Sequence, residues 1–204
     1  MSWNVRSAAL AAMLAAGIAG FAGSAEAETR FLQQPDISAD RLAFVYGGDI
    51  WISARDGGDP RRLTSDPARE EQPHFSPDGD MVAFSADYNG NRDVYVMPAA
   101  GGAPTRLTWH PGSDEVRGWT PEGEVIFVTS RAVNSRGGEQ LYTVAPEGGG
   151  LPRAMPMPQA FDGAVSPDGS RIAYQLFRPA QSGASGWKKH RGGTTPPIWI
   201  YETG

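Results

Sequence analysis

From residue 30 onward the apolar residues fall in short runs, and chain breakers separate the runs at regular intervals. The clearest stretch reads "MVAFSA" (81–86), "DYNGNR" (87–92), "DVYVMP" (93–98), then Gly101-Gly102 and "TRLT" (105–108). Runs this short, rich in β-branched and aromatic residues and apolar on both faces, predict strands covered on both sides rather than helices. Asn89-Gly90 is a strong hairpin signal. Ahead of the first run stands "SPDG" (76–79). There proline presets φ at the second turn position, Ser and Asp can bond nearby amides, and Gly takes a conformation that a side chain forbids. The stretch therefore predicts an antiparallel meander of four strands.

The same pattern recurs. "FSPDG" (75–79), "VSPDG" (165–169) and "WTPEG" (119–123) share a turn, with a weaker copy at "ISADR" (37–41). Their hydroxyl residues sit at 38, 76, 120 and 166, spaced 38, 44 and 46 apart. After each turn comes an aromatic strand: "GDIWIS" with Trp51, "RDVYVM" with Tyr95, "EQLYTV" with Tyr142, "PPIWIY" with Trp199. Glycine-rich turns follow at 57–58, 101–102 and 148–150, then "RRLTS" (61–65), "TRLTW" (105–109) and a faded "RAMPM" (153–157). A period of roughly 40–45 residues with four strands per unit is the signature of a β-propeller blade. The expected fold is all-β: a partial β-propeller of three complete four-stranded blades (about 30–72, 73–116 and 117–163) and an incomplete fourth (164–204). The fourth lacks its outer strand, so the sequence reads as a truncated N-terminal fragment of a longer chain. A four-bladed ring closed by "TRFLQQ" (29–34) is the alternative.

Composition agrees with this and narrows the function classes. Glycine (26) and proline (17) are too abundant for a helical protein, and 40% hydrophobic residues suffice for a core. A net charge of −5, with both signs mixed along the chain, leaves no footprint for nucleic acid. The absence of cysteine excludes disulfides and thiolate metal sites. Residues 1–27 differ from the rest: Arg6, an apolar stretch from Ala8 to Ala22, then Ala25-Glu26-Ala27. This is the anatomy of a cleaved signal peptide, with cleavage after Ala27, and the expected location is the periplasm or outside the cell. A membrane anchor is the competing reading, although the stretch is short and only weakly apolar. Once the signal is cleaved, no membrane association is expected.

The sequence offers no catalytic constellation. His74, His110 and His190 are dispersed, and none stands beside a glycine-flanked serine of the nucleophile-elbow type. Nor do they form a metal set. Asp78, Asp168 and Glu122 recur at the blade spacing, which marks them as turn residues rather than an acid–base pair. "GGDPRR" and "EGGGLPR" lack the order of a phosphate loop. Catalytic, cofactor and metal residues are therefore all expected to be absent, and no cofactor is implied. The candidate contact site is the insertion "QSGASGWKKHRGG" (181–193), where Lys188, Lys189 and Arg191 form the only dense positive cluster, beside Trp187. It reads either as a loop that meets a partner domain or guides peptides, or as a solvated hairpin loop whose tryptophan packs on its own blade.

The unit "PxFSPDGxxVAFSAxxxGNxDVYVMPAxGGxPxRLT" resembles the propeller repeat shared by the Tol system's periplasmic propeller protein, prolyl oligopeptidase relatives and the tricorn proteases. Residues 46–79, 139–174 and above all "GWKKHRGGTTPPIWIYETG" (186–204) resemble the tricorn-type enzymes more closely. That family combines N-terminal propellers, a PDZ-like module and a C-terminal serine protease core. The resemblance implies a parent that hydrolyses peptides through a serine acyl-enzyme and a non-catalytic propeller that gates or guides them. The implied partners are peptides or unfolded polypeptide, the remaining domains of the same chain and, in the full-length protein, further copies in a homo-oligomer. The PDZ-like and protease segments are absent from this sequence. The alternative function is a Tol-like periplasmic propeller that binds another protein.

Overall fold

The recurrent turn is built the same way in the second and fourth sheets. In the computed structural model, which describes residues 32–131, 138–176 and 197–203, the Ser76 hydroxyl donates to Asp78 (2.5 Å) and accepts the Met81 N–H (2.9 Å). The Asp78 carboxylate also accepts the Asp80 N–H, and Gly79 closes the turn at φ 79°. Ser166 repeats the arrangement with Asp168 (2.6 Å) and the Arg171 N–H (2.9 Å). Thr120 keeps the backbone half of it, accepting the Glu124 N–H at 3.2 Å. Each turn reverses the chain between the first and second strands of a meander.

Four antiparallel sheets result. The first holds β1 (Gln33–Ile37), β2 (Arg41–Tyr46), β3 (Asp49–Ala54) and β4 (Arg61–Arg62). The second holds β5 (Glu70–Phe75), β6 (Met81–Ala86), β7 (Asp93–Pro98) and β8 (Thr105–Arg106). The third holds β9 (Asp114–Trp119), β10 (Val125–Thr129), β11 (Gln140–Val144) and β12 (Arg153–Ala154). The fourth holds β13 (Asp162–Val165), β14 (Arg171–Gln175) and β15 (Ile198–Glu202). In each sheet, spatial order follows chain order, and no helix occurs among the described residues. The first strands meet in series, β1 on β5, β5 on β9 and β9 on β13, and among the described residues the array is open rather than closed into a ring. Gln33 and Gln34 belong to β1, and Gln33 pairs with Val45 of β2, so they do not supply an outer strand to the fourth sheet.

Apolar side chains fill the spaces between sheets. Ala43, Ile50 and Ile52 of the first sheet meet Phe75, Val82, Phe84 and Met97 of the second. Ala83, Val94 and Val96 meet Val125, Phe127, Tyr142 and Val144 across the next junction. Ile126, Val128 and Leu141 meet Ile172, with Val165 and Tyr174 at the margin. Burying each large side chain fully contributes about 1.5–3 kcal/mol, which is why both faces of β6 and β10 are apolar. By contrast, Ile198 and Ile200 of β15 are exposed.

The "RLT" repeat has its own structural reason. Arg106 pairs with Asp93 (2.6 Å) and donates to the Thr108 carbonyl (2.8 Å), while the Thr108 hydroxyl accepts the Val94 N–H and donates to Asp93. Arg62, Asp49, Thr64 and Ile50 repeat the clasp in the first sheet, except that Thr64 donates to Glu70. In the third sheet, Gln140 stands where the others have Asp and donates to the carbonyls of Met155 and Met157. The arginine and threonine are replaced there by Ala154 and Pro156. The faded repeat is thus one clasp exchanged for another, all three of its members changing together.

Candidate functional site

The first strands of the sheets are the polar ones. β1 and β5 each contain Gln-Pro, and at both places the ladder slips: Gln33 and Asp36 pair with Val45 and Ala43, Glu71 and His74 with Ser85 and Ala83. Gln34 (φ 50°) and Gln72 (φ 57°) occupy the left-handed region at these bulges. A third bulge in β9 leaves Arg117 between the paired residues Val116 and Gly118. Bulges re-aim side chains, and left-handed backbone at non-glycine residues persists only where surrounding contacts hold it. Here they do. The Gln72 N–H donates to Gln34 Oε1 (2.6 Å), Ser85 donates to Gln72 Oε1 (2.8 Å), and the Val116 N–H donates to the Ser85 hydroxyl (2.8 Å).

These strands line a cavity of about 870 Å³, walled by residues of all four sheets. A chain of ion pairs runs along its wall. Arg92 reaches both Glu71 (2.9 Å) and Glu115 (3.2 Å), while Arg69 holds the other oxygen of Glu71 (2.9 Å). Arg117 pairs with Glu115 (2.9 Å) and lies 3.8 Å from Asp162. It also donates to the Phe161 carbonyl (3.2 Å) and stacks over the Phe161 ring at 4.8 Å. With 8% of its side chain exposed, Arg117 is committed to its carboxylates, since a buried charge must be paired. The network joins the second sheet to the third through Arg92 and the third to the fourth through Arg117.

A smaller hollow of about 420 Å³ opens beside the serine turns, between Asp36, His74 and Trp119. His74 Nδ1 lies 3.8 Å from Asp36, and the Trp119 indole N–H donates to the His74 carbonyl (2.9 Å). Burial works against ionisation of Asp36, but the His74 contact and the Phe75 N–H outweigh it and hold its carboxyl below the usual range. His110 lies apart, its Nδ1 accepting the Gly112 N–H. Asp78 and Asp168 sit in their turns as serine partners, and Glu122 occupies the equivalent turn of the third sheet. Trp187, Lys188, Lys189, Arg191 and His190 lie outside the described residues, as do residues 1–27. The connection 177–196 leaves from Gln175 and returns before Ile198, and both of those residues line the cavity. Among the described residues no group of three or more His, Asp or Glu side chains is placed to hold a metal ion.

Sequence reasoning missed the cavity wall. A signal for it exists: Gln34-Pro35 and Gln72-Pro73 are 38 residues apart, and Glu70-Glu71 and Asp114-Glu115 are 44 apart, the same spacings as the turns. The charges masked it, because a strand such as "EEQPHF" carries no apolar pattern.

Successive antiparallel meanders whose first strands surround a polar cavity make this chain a β-propeller protein, open at one side among the described residues. It belongs to the tricorn protease N-terminal beta propeller domain family, which matches residues 29–204. The chain is 31% identical over 170 residues to tricorn protease homolog 1 of Streptomyces coelicolor, covering 83% of this chain and 16% of that protein. A putative tricorn protease homolog 2 of the same organism is 40% identical over 57 residues, 28% of this chain and 5% of that one. The chain thus spans only a small part of the relatives it matches. Among solved structures, tricorn protease superposes with a TM-score of 0.62 at 26% identity, covering 83% of this chain and 17% of that one. TolB from Acinetobacter baumannii superposes with a TM-score of 0.63 at 25% identity, covering 84% and 41%.

Proposed function

We propose that this chain is the non-catalytic propeller portion of an exported tricorn-like serine protease, and that it gates or guides peptides to a protease core elsewhere in the parent protein. The carrying observation is the family match across residues 29–204, together with a polar cavity built from the first strands of all four sheets. The long connection that includes Trp187, Lys188, Lys189 and Arg191 is flanked by residues of the cavity wall, which supports a role for it in meeting peptide or a neighbouring domain. The test is fluorescence anisotropy with a labelled unstructured peptide. Micromolar binding is expected, weakened at least tenfold by replacing Lys188, Lys189 and Arg191 with alanine, with no cleavage of the peptide. Cleavage by the purified protein, or binding indifferent to the triple substitution, would overturn the reading. Export is tested by expression in a bacterial host and sequencing of the mature N-terminus, expected at Glu28.

The likeness to TolB favours a second reading, a periplasmic propeller that binds a folded protein partner. Such a module would retain a folded partner and show no preference for unstructured peptide.

A further inference from the structure

Two buried carboxyl groups occupy matching places in the fold and are served differently. Asp114 opens β9, is fully buried, and is paired with Arg131 at 2.6 Å. Glu70 opens β5 at the preceding junction and is equally buried. Among the described residues its oxygens accept only from neutral hydroxyls, Tyr88 (3.0 Å) from the second sheet and Thr64 (3.1 Å) from the end of the first. Thr64 in turn holds the Ile50 N–H at 2.8 Å, and the Glu70 N–H donates to the Gly48 carbonyl. Glu70 is therefore the centre of a three-part polar joint between the first and second sheets, and its partner Tyr88 packs against the apolar cluster of Ile50, Phe84 and Tyr95.

Among the described residues no cation is paired with this joint, and only the two hydroxyls favour a negative charge on it. The nearest ionisable groups of the first sheet and the loop after it are Asp49 and Asp66, both acidic. Arg62 is occupied with Asp49 (2.7 Å), and Arg69 is turned to Glu71 (2.9 Å). From the second sheet, Tyr88 meets it as a neutral phenol, and the Tyr95 ring packs on Tyr88 at 4.7 Å.

We infer that Glu70 is a proton-controlled latch between the first two sheets: neutral, it closes the joint, and ionised, it loosens it. Burial first of all pushes its carboxyl up to about 7 from 4.5, against the opposing pull of Tyr88 and Thr64. For an acid whose folded value is raised, the folded state keeps its proton longer than the unfolded chain does. The joint is accordingly tightest below 4.5, weakens as pH rises toward 7, and stays weak above it. Asp114 is also pushed up by burial, but Arg131 opposes this, so the second junction responds less. The latch concerns the fit between sheets and stands whether or not peptides pass along the cavity.

Amide hydrogen exchange on the full chain tests it, with protection factors corrected for the intrinsic effect of pH. Between pH 5.5 and 8, protection at Ile50 is expected to fall at least tenfold, the equivalent of one unit of carboxyl shift. The fall at Val94, the matching amide at the second junction, is expected to be smaller. In Glu70→Gln, which cannot ionise, protection at Ile50 should not change over this range. An equal fall in the variant and the wild type, or no fall in the wild type, would overturn the latch. If Glu70→Gln fails to fold, carbon-13 titration of glutamate-labelled wild-type protein decides. A carboxyl titrating near 7 supports the latch, and all glutamates titrating below 5.5 overturn it.

Discussion

The hydroxyl that starts each of the Ser76, Thr120 and Ser166 turns holds a backbone amide across it, and the serines also hold the turn aspartate. In the fourth sheet, Ser166 first, then the Ser170 amide and hydroxyl, hold the Asp168 carboxyl down at about 2 from 3.8. For an acid whose folded value is depressed, the stabilisation is complete above the unfolded value and lost as pH falls through the folded one. This turn's contribution is thus present above 3.8 and disappears as pH drops through about 2. Ser166→Ala is expected to return Asp168 part of the way toward 3.8, as read by carboxyl NMR titration. Because Asp168 is exposed, little change in overall stability should accompany the shift. A carboxyl that titrates unchanged in the variant would mean that the hydroxyl is incidental.

At the level of the element, the outer strands are too short to be held by their ladders alone. β8 has two residues, and the Asp93–Arg106–Thr108 clasp secures it to β7. Asp93 is fully buried, so Arg106→Ala leaves a carboxylate with only the Thr108 and Asn91 donors. Breaking a buried pair from one side costs about 3–5 kcal/mol, and that loss should appear as a lower urea midpoint. Arg62→Ala is expected to cost less, because that arginine is more exposed than Arg106. Equal losses would contradict the argument from burial.

On the scale of the whole molecule, sheets are joined by apolar packing between their faces and by ion pairs along their first strands. Arg117 is the polar link between the third and fourth sheets. Its replacement by alanine removes the charged donor shared by Glu115 and the Phe161 carbonyl, while Glu115 keeps Arg92 and Gln72, and costs about 1–3 kcal/mol. The damage should be local: faster hydrogen exchange at 162–175, with β5–β7 unaffected. Uniform acceleration across all four sheets would show instead that the array unfolds as one unit.

The sequence by itself determined the repeat unit, its turns and its apolar strands. Those depend on residues close together in the chain: proline and glycine at a turn, Asn89-Gly90 at a hairpin, short apolar runs such as Met81 to Phe84. It marked "RLT" as a repeat without disclosing why, because the Asp93 and Arg106 that make the clasp belong to different strands. The first strands were the least legible. β5 and β9 are charged, and they are strands because a neighbouring strand and the next sheet hold them, not because their residues prefer it. Only the tertiary structure could decide that Arg92 bridges Glu71 and Glu115, that two glutamines take left-handed backbone to face a shared cavity, and that Glu70 lies buried without a cation. Each of these rests on groups that meet only when one sheet is laid against the next, and local pattern carries no information about that meeting.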